Sequence, residues 1–169
     1  LANTDTVANR AALAAECLRL ARFDEAVRHY DHILMLPLGG EPAYALGRAQ
    51  AEFGRSRPAE ALATLDDLQK RWPDFESAEA HLLYARSLAE VGRIDEALEE
   101  YYALVPYAPG AEARVRYGML LRMVGRDAEL KRLQDAFYRL CGGGMLAAVT
   151  VVADAGMGPH DLAERPEAH

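Results

Sequence analysis

Residues 81–109, HLLYARSLAEVGRIDEALEEYYALVPYAP, decide the fold. His81, Tyr84, Ala85 and Leu88 fall at i, i+3, i+4 and i+7, one face of an α-helix. Gly92 ends that helix, being free to take positive φ. Asp95 and Glu96 open a second helix, where acidic side chains complement its positive end. Ala97, Leu98, Tyr101, Leu104 and Val105 repeat the helical spacing, and Pro106 and Pro109 stop it. Two amphipathic helices with so short a connection lie antiparallel, apolar face to apolar face. One hairpin cannot bury both faces, so it needs a stacked neighbour on each side.

Those neighbours are written into the chain. GRIDEALEEY at 92–101 is answered by ARFDEAVRHY at 21–30 and SRPAEALATL at 56–65, and more loosely by GRDAELKRLQ at 125–134. The equivalent positions Ala26, Ala61, Ala97 and Leu130 are 35, 36 and 33 residues apart in turn. Small residues recur in the first helices at Ala14, Ala49, Ala85 and Gly118, and in the second helices at Ala26, Ala61 and Ala97. Tyr30 and Tyr101 follow four residues after two of these, and Pro73 and Pro109 close two repeats. A helix–turn–helix period near 34 residues resembles the tetratricopeptide repeat, over about residues 8–139. The first repeat departs from the pattern, with Arg10 where an aromatic is usual. The fourth places Leu130 where a small residue is expected. The resemblance implies an all-α, right-handed α-solenoid of about four hairpins, acting as a protein-interaction scaffold.

Outward from this array, residues 1–7 read as a polar lead-in in which Asn3, Thr4 or Asp5 caps the first helix. That helix is expected to run to about Ala21 with Leu13, Cys17 and Leu20 facing inward. Its partner runs from about Asp24 to Leu36 and carries Val27, Tyr30, Ile33 and Leu34. Helices follow over about 41–54, 58–71, 111–124 and 127–140, with Trp72 packing at a repeat junction. Residues 140–169 break the pattern with a glycine run, the apolar segment MLAAVTVVA and a polar tail. The apolar segment is read as a cover for the end of the last repeat. The chain starts at Leu1 rather than Met, which raises the expectation of a removed N-terminal segment, a membrane anchor included.

Composition narrows the function. The formal net charge of −7 opposes nucleic-acid binding, which needs a basic face to displace counterions. Arg114, Arg116, Arg122, Arg126 and Arg132 cluster in the fourth repeat and read as a solvated helix surface. Seventeen Arg against two Lys, with abundant Ala, is the bias of a GC-rich bacterial genome. Cys17 and Cys141 are too far apart for a metal-ligand spacing, and a lone cysteine is usually a small core residue. No stretch approaches the roughly 20 apolar residues that span a bilayer. The expected location is the cytoplasm, or its membrane surface through the removed segment.

Three chemistries fail on the residues. His29 and His32 flank Asp31 on one helix, but no third ligand stands at helical spacing. The glycine run 142–144 lacks the Lys-Ser/Thr of a phosphate loop. Ser56, Ser77 and Ser87 have no serine-elbow context. No enzyme and no cofactor are expected. The expected partner is a protein or peptide, with no nucleic acid and no direct membrane insertion. In this repeat family the first helices line the concave side. Their off-core stripe gives Leu46, Gln50 and Phe53 in the second repeat, Leu82 and Arg86 in the third, and Met119 and Arg122 in the fourth. Apolar residues with a few arginines suit an amphipathic helix or an extended peptide. The Lys and Asn by which some such domains grip a peptide carboxylate are missing here, since Ala11, Ala15, Leu46, Gln50, Leu82 and Arg86 hold those positions. Two alternatives stand beside the scaffold: a homodimerisation module using the exposed end repeats, and an accessory domain of a small-molecule-binding or enzymatic complex.

Overall fold

A computed structural model describes residues 6–36 and 40–141. Eight helices occupy the described residues: α1 Val7–Arg19, α2 Phe23–Leu34, α3 Pro42–Gly54, α4 Pro58–Arg71, α5 Ala78–Glu90, α6 Ile94–Leu104, α7 Glu112–Met123 and α8 Asp127–Cys141. The expected MLAAVTVVA cover, the glycine run and the tail lie outside the described residues. The described residues form two compact units, one with α1–α6 and one with α7 and α8.

One turn chemistry builds all four hairpins. Ala21, Ser56, Gly92 and Gly125 occupy equivalent positions and all take positive φ, at 56°, 60°, 84° and 71°. The next residue, Arg22, Arg57, Arg93 or Arg126, donates its backbone N–H to the carbonyl five residues back: Cys17, Glu52, Leu88 and Leu121 respectively. That bond pattern is the left-handed helix end, which satisfies carbonyls the helix leaves orphaned. Each of these arginines then pairs with the glutamate three residues on: Glu25 at 2.6 Å, Glu60 at 3.1 Å, Glu129 at 2.7 Å, and Glu96 in the third repeat. Exposed pairs of this kind contribute only tenths of a kcal/mol. Alanine and serine are poorly suited to a left-handed turn. Ser56→Gly and Ala21→Gly are therefore each expected to raise stability by about 0.5–1 kcal/mol, read as a shift in denaturation midpoint. An unchanged midpoint would show that the turn carries no strain.

In the first unit the core fills layer by layer. Ala14, Cys17, Ala26, Val27, Tyr30, Ile33 and Ala51 form one cluster, and Ala45, Leu46, Ala49, Leu65, Leu68 and Leu83 another. The second carries Trp72 on its margin, with residues of α3, α4 and α5 around it, the repeat junction expected of it. Between α2 and α3 two aromatic rings enter two glycine gaps. A Cβ on Gly47 would lie 2.4 Å from Tyr30 Cζ, and one on Gly54 2.4 Å from Phe23 Cε1. Phe23 and Tyr30 are seven residues apart, as are Gly47 and Gly54, so ridge matches groove along antiparallel helices.

In the second unit the misfit at Leu130 has a local answer. A Cβ on Gly118 would sit 3.4 Å from Leu130 Cδ1 and 3.6 Å from Leu133 Cδ2. The first three hairpins carry alanine at both positions, and the fourth carries glycine against leucine, which divides the same space differently.

Three expectations of burial need correction. Leu13 and Leu20 do not face inward; each is 49% exposed, because no described element packs on that side of α1. Cys17, by contrast, is buried as expected. Tyr84 is only half-buried, and its neighbour Leu83 takes the core position at α5. Ala108, which reads as an inter-repeat loop, is buried and donates its N–H to Leu104 at 3.0 Å, extending the last turn of α6.

Candidate partner-binding face

The first helices of the second and third hairpins carry five of the seven residues singled out. Thr6, and not the expected Asn3, Thr4 or Asp5, caps α1 through Oγ1, and Ser77 caps α5 through Oγ, each accepting a backbone N–H at 3.2 Å. Pro42 and Pro58 begin α3 and α4, where a missing N–H costs nothing. These starts set the register in which Gln50 and Phe53 on α3 come opposite α5.

The structure brings four of the residues into cross-helix pairs or their immediate surroundings. Gln50 Nε2 donates to Glu79 Oε1 at 2.6 Å. The Arg86 guanidinium lies over the Phe53 ring, 4.6 Å from its centroid, a cation–π stack. Leu82, half-buried, lies between Glu79 and Arg86 along α5. Leu46 is placed differently: it is 7% exposed, inside the second core cluster. Met119 and Arg122 stand on α7 in the second unit, both exposed, Met119 at 58%.

Sequence reasoning missed Glu79, although it shares the stripe of Leu82 and Arg86 at i, i+3 and i+7. It also missed a polar network under the same hairpins. Arg48 Nε donates to Asp31 Oδ1 at 2.6 Å, and its Nη1 donates to Thr64 Oγ1 at 2.6 Å. Arg48 Nη2 lies 3.1 Å from Glu52 Oε1, and the Thr64 hydroxyl donates to Glu52 Oε2 at 2.6 Å. Glu52 is 2% exposed. Its equivalents are Cys17, Leu88 and Leu121, all buried and apolar. A glutamate in a slot that the other repeats fill with apolar residues was the available signal. Burial pushes the Glu52 carboxyl above its ordinary value, against the opposing pull of Thr64 and Arg48.

A second polar group joins α5 to α6. His81 Nε2 meets Glu100 Oε2 at 2.6 Å, and Nδ1 meets the Tyr107 hydroxyl. With Glu100 as a carboxylate acceptor, Nε2–H donates and Nδ1 accepts the Tyr107 proton. Burial, then Glu100, push the Tyr107 hydroxyl up, which keeps that proton in place. The arrangement pins the turn after α6 onto α5. Arg22, Phe23, Asp24, Arg55 and Arg57 line a shallow depression near the first two turns. Each arginine there already holds a carboxylate, of Glu25, Asp24 or Glu60, so its charge is met internally. Asp31, between His29 and His32, is engaged by Arg48.

No helix among the described residues is long and apolar enough to cross a membrane. No family model matches the sequence, and no curated protein matches it. Among solved structures, the chain is similar to a thermophilic TPR protein of Thermus thermophilus, at 18% identity and a TM-score of 0.65. The match covers 90% of this chain and 82% of that one. The fold is therefore that of a tetratricopeptide-repeat protein, an all-α helical-repeat solenoid.

Proposed function

We propose that this chain is a non-enzymatic interaction scaffold that holds a peptide or helix of a partner protein against its first-helix face. The fold supports the general role, because stacked hairpins of this kind present extended binding surfaces. The observation that carries the specific reading is the Phe53–Arg86 stack across α3 and α5. It holds an aromatic ring and a guanidinium on one surface, the residue types in which binding energy concentrates. Stacking also orders the guanidinium before a partner arrives, which lowers the entropy lost on binding. Gln50 and Leu82 border this pair. Met119 and Arg122 are the corresponding residues of α7 in the second unit. Leu46 contributes from beneath, as support rather than contact.

The test is titration calorimetry against a partner obtained by affinity capture with the intact array. Arg86→Ala and Phe53→Ala should each weaken binding by roughly 1–2 kcal/mol or more. Arg86→Ala should leave helical content nearly unchanged. Glu99→Ala, an exposed change on α6, should alter neither property. Affinity that survives both first-helix substitutions would remove this face from consideration.

A further inference from the structure

We propose that Tyr107 is an acyl-acceptor site, at which His81, held by Glu100, takes the phenolic proton as the oxygen attacks a neutral activated acyl donor. The inference goes beyond the scaffold role and does not depend on it. Three side chains converge here: His81 from α5, Glu100 from α6 and Tyr107 from the turn after α6. Glu100 Oε2 lies 2.6 Å from His81 Nε2, which fixes the tautomer that leaves Nδ1 to accept the Tyr107 proton. A hydroxyl, a base within hydrogen-bond reach and a third group that orients the base are the parts of an activated nucleophile. The turn holds the hydroxyl in place. Pro106 and Pro109 flank it and restrict the backbone. The N–H groups of Tyr107 and Ala108 both reach the Leu104 carbonyl, at 3.2 and 3.0 Å, and Ala108 is buried. The side chain of His81 is 22% exposed and Tyr107 is 56% exposed, so the base is the more sheltered partner. The repeat itself does not require this trio. Arg10, Ala45 and Arg114 hold the position of His81 in the other hairpins, and His29, Thr64 and Leu133 hold that of Glu100.

The step balances without oxidant or reductant. The bond from Tyr107 Oη to the acyl carbon forms, and the bond from that carbon to its leaving group breaks, its electron pair departing with the leaving group. The phenolic proton passes to His81 Nδ1, Glu100 offsets the imidazolium charge, and the proton then goes on to water. The product is an aryl ester on Tyr107. An ester oxygen has no proton to donate to His81, so acylation also removes the bond that pins the turn to α5. Local charge selects the donor. Burial, then Glu100 and Glu76, push the Tyr107 hydroxyl up. Those two carboxylates disfavour an anionic donor such as a phosphoanhydride and leave a neutral acyl group as the fitting electrophile. Because the hydroxyl stays protonated, little phenolate is present, and attack depends on the base.

Treatment of the full chain with p-nitrophenyl acetate tests this, with acetylation of each tyrosine followed by peptide mass spectrometry. Tyr107 should gain its acetyl group at least about tenfold faster than Tyr102. Tyr102 lies five residues away and is 71% exposed, so exposure alone would favour it instead. His81→Gln should abolish the lead of Tyr107. Glu100→Gln keeps an acceptor for Nε2–H but removes the charge, and should reduce the lead severalfold with the melting point nearly unchanged. Far-UV circular dichroism checks the fold of each variant. A second donor, acetyl phosphate, brings the same acetyl group with negative charge and needs no variant. With it the lead of Tyr107 over Tyr102 should shrink clearly. Tyr107 reacting no faster than Tyr102 with the neutral ester would overturn the proposal. So would a lead that survives His81→Gln in a folded variant, or one equally large with both donors. Transfer of the phosphoryl group to Tyr107 would assign the site to a different electrophile and overturn it equally.

Discussion

Arg48→Met is expected to cost the first unit about 2–4 kcal/mol, measured from denaturant unfolding. The substitution keeps an unbranched stem and removes the charge that compensates Glu52, which is 2% exposed. It also removes the donors to Asp31 and Thr64. The loss should depend on pH with a definite sign. Burial raises the Glu52 carboxyl above its ordinary value of 4.5, and Arg48 is among the groups that lower it. Without Arg48 it rises further. A carboxyl whose folded pKa is raised binds its proton more tightly in the folded state. Its contribution is therefore most favourable at low pH and is lost as pH climbs from about 4.5 through the folded value. Arg48→Met should accordingly be much less damaging at acid pH than at neutral pH. Adding Glu52→Met should recover most of the loss at neutral pH, because an apolar pair of similar volume can replace a buried ion pair. If the single and double variants unfold alike, the network carries no coupling and its burial is incidental.

Ala97→Phe should be of similar size, about 3 kcal/mol, or roughly 6–12 °C in melting temperature for a chain of this length. Ala97 is 0% exposed on α6, beside Leu98, Tyr101 and Leu104, which are also buried. A ring there meets close-packed neighbours on every side, and the two helices of the hairpin must separate to admit it. Ala103→Phe is the matched control, an exposed alanine on the same helix with the same change in propensity and size. It should shift the melting point by less than a quarter as much. Comparable losses at both sites would mean that helix propensity, and not packing, sets the tolerance of α6.

The fold was legible because its signals are local and repeated. A turn residue, an acidic helix start and a small residue at fixed offsets recur four times, and each repeat vouches for the others. The alanine positions 14, 26, 49, 61, 85 and 97 all proved buried for the reason their size implied. Single-residue deviations were harder to interpret. Leu130 reads as a defect in the sequence, and only the facing Gly118 explains it. Glu52 passes as one more polar residue, because its partners Arg48 and Thr64, with Asp31 beyond, come from three helices. The first-helix face was legible as a stripe but not as contacts. Gln50, Phe53, Leu82 and Arg86 lie on it, whereas their pairing depends on how far α3 and α5 are offset, a quantity set by the α4 between them.

By itself, then, the sequence determined the helices, the turns and the period of the repeat, since hydrogen bonding and apolar periodicity act within a few residues along the chain. Tertiary structure alone decided which side chains meet between hairpins: Arg86 on Phe53, Arg48 on Asp31 and Thr64, and the leucines of α1 on no described neighbour. The physical reason is that one stripe of a helix serves as core or as surface according to whether a further helix covers it. Leu46 and Leu13 carry the same side chain, and α5 with its cluster buries the first, while the second stands half in water.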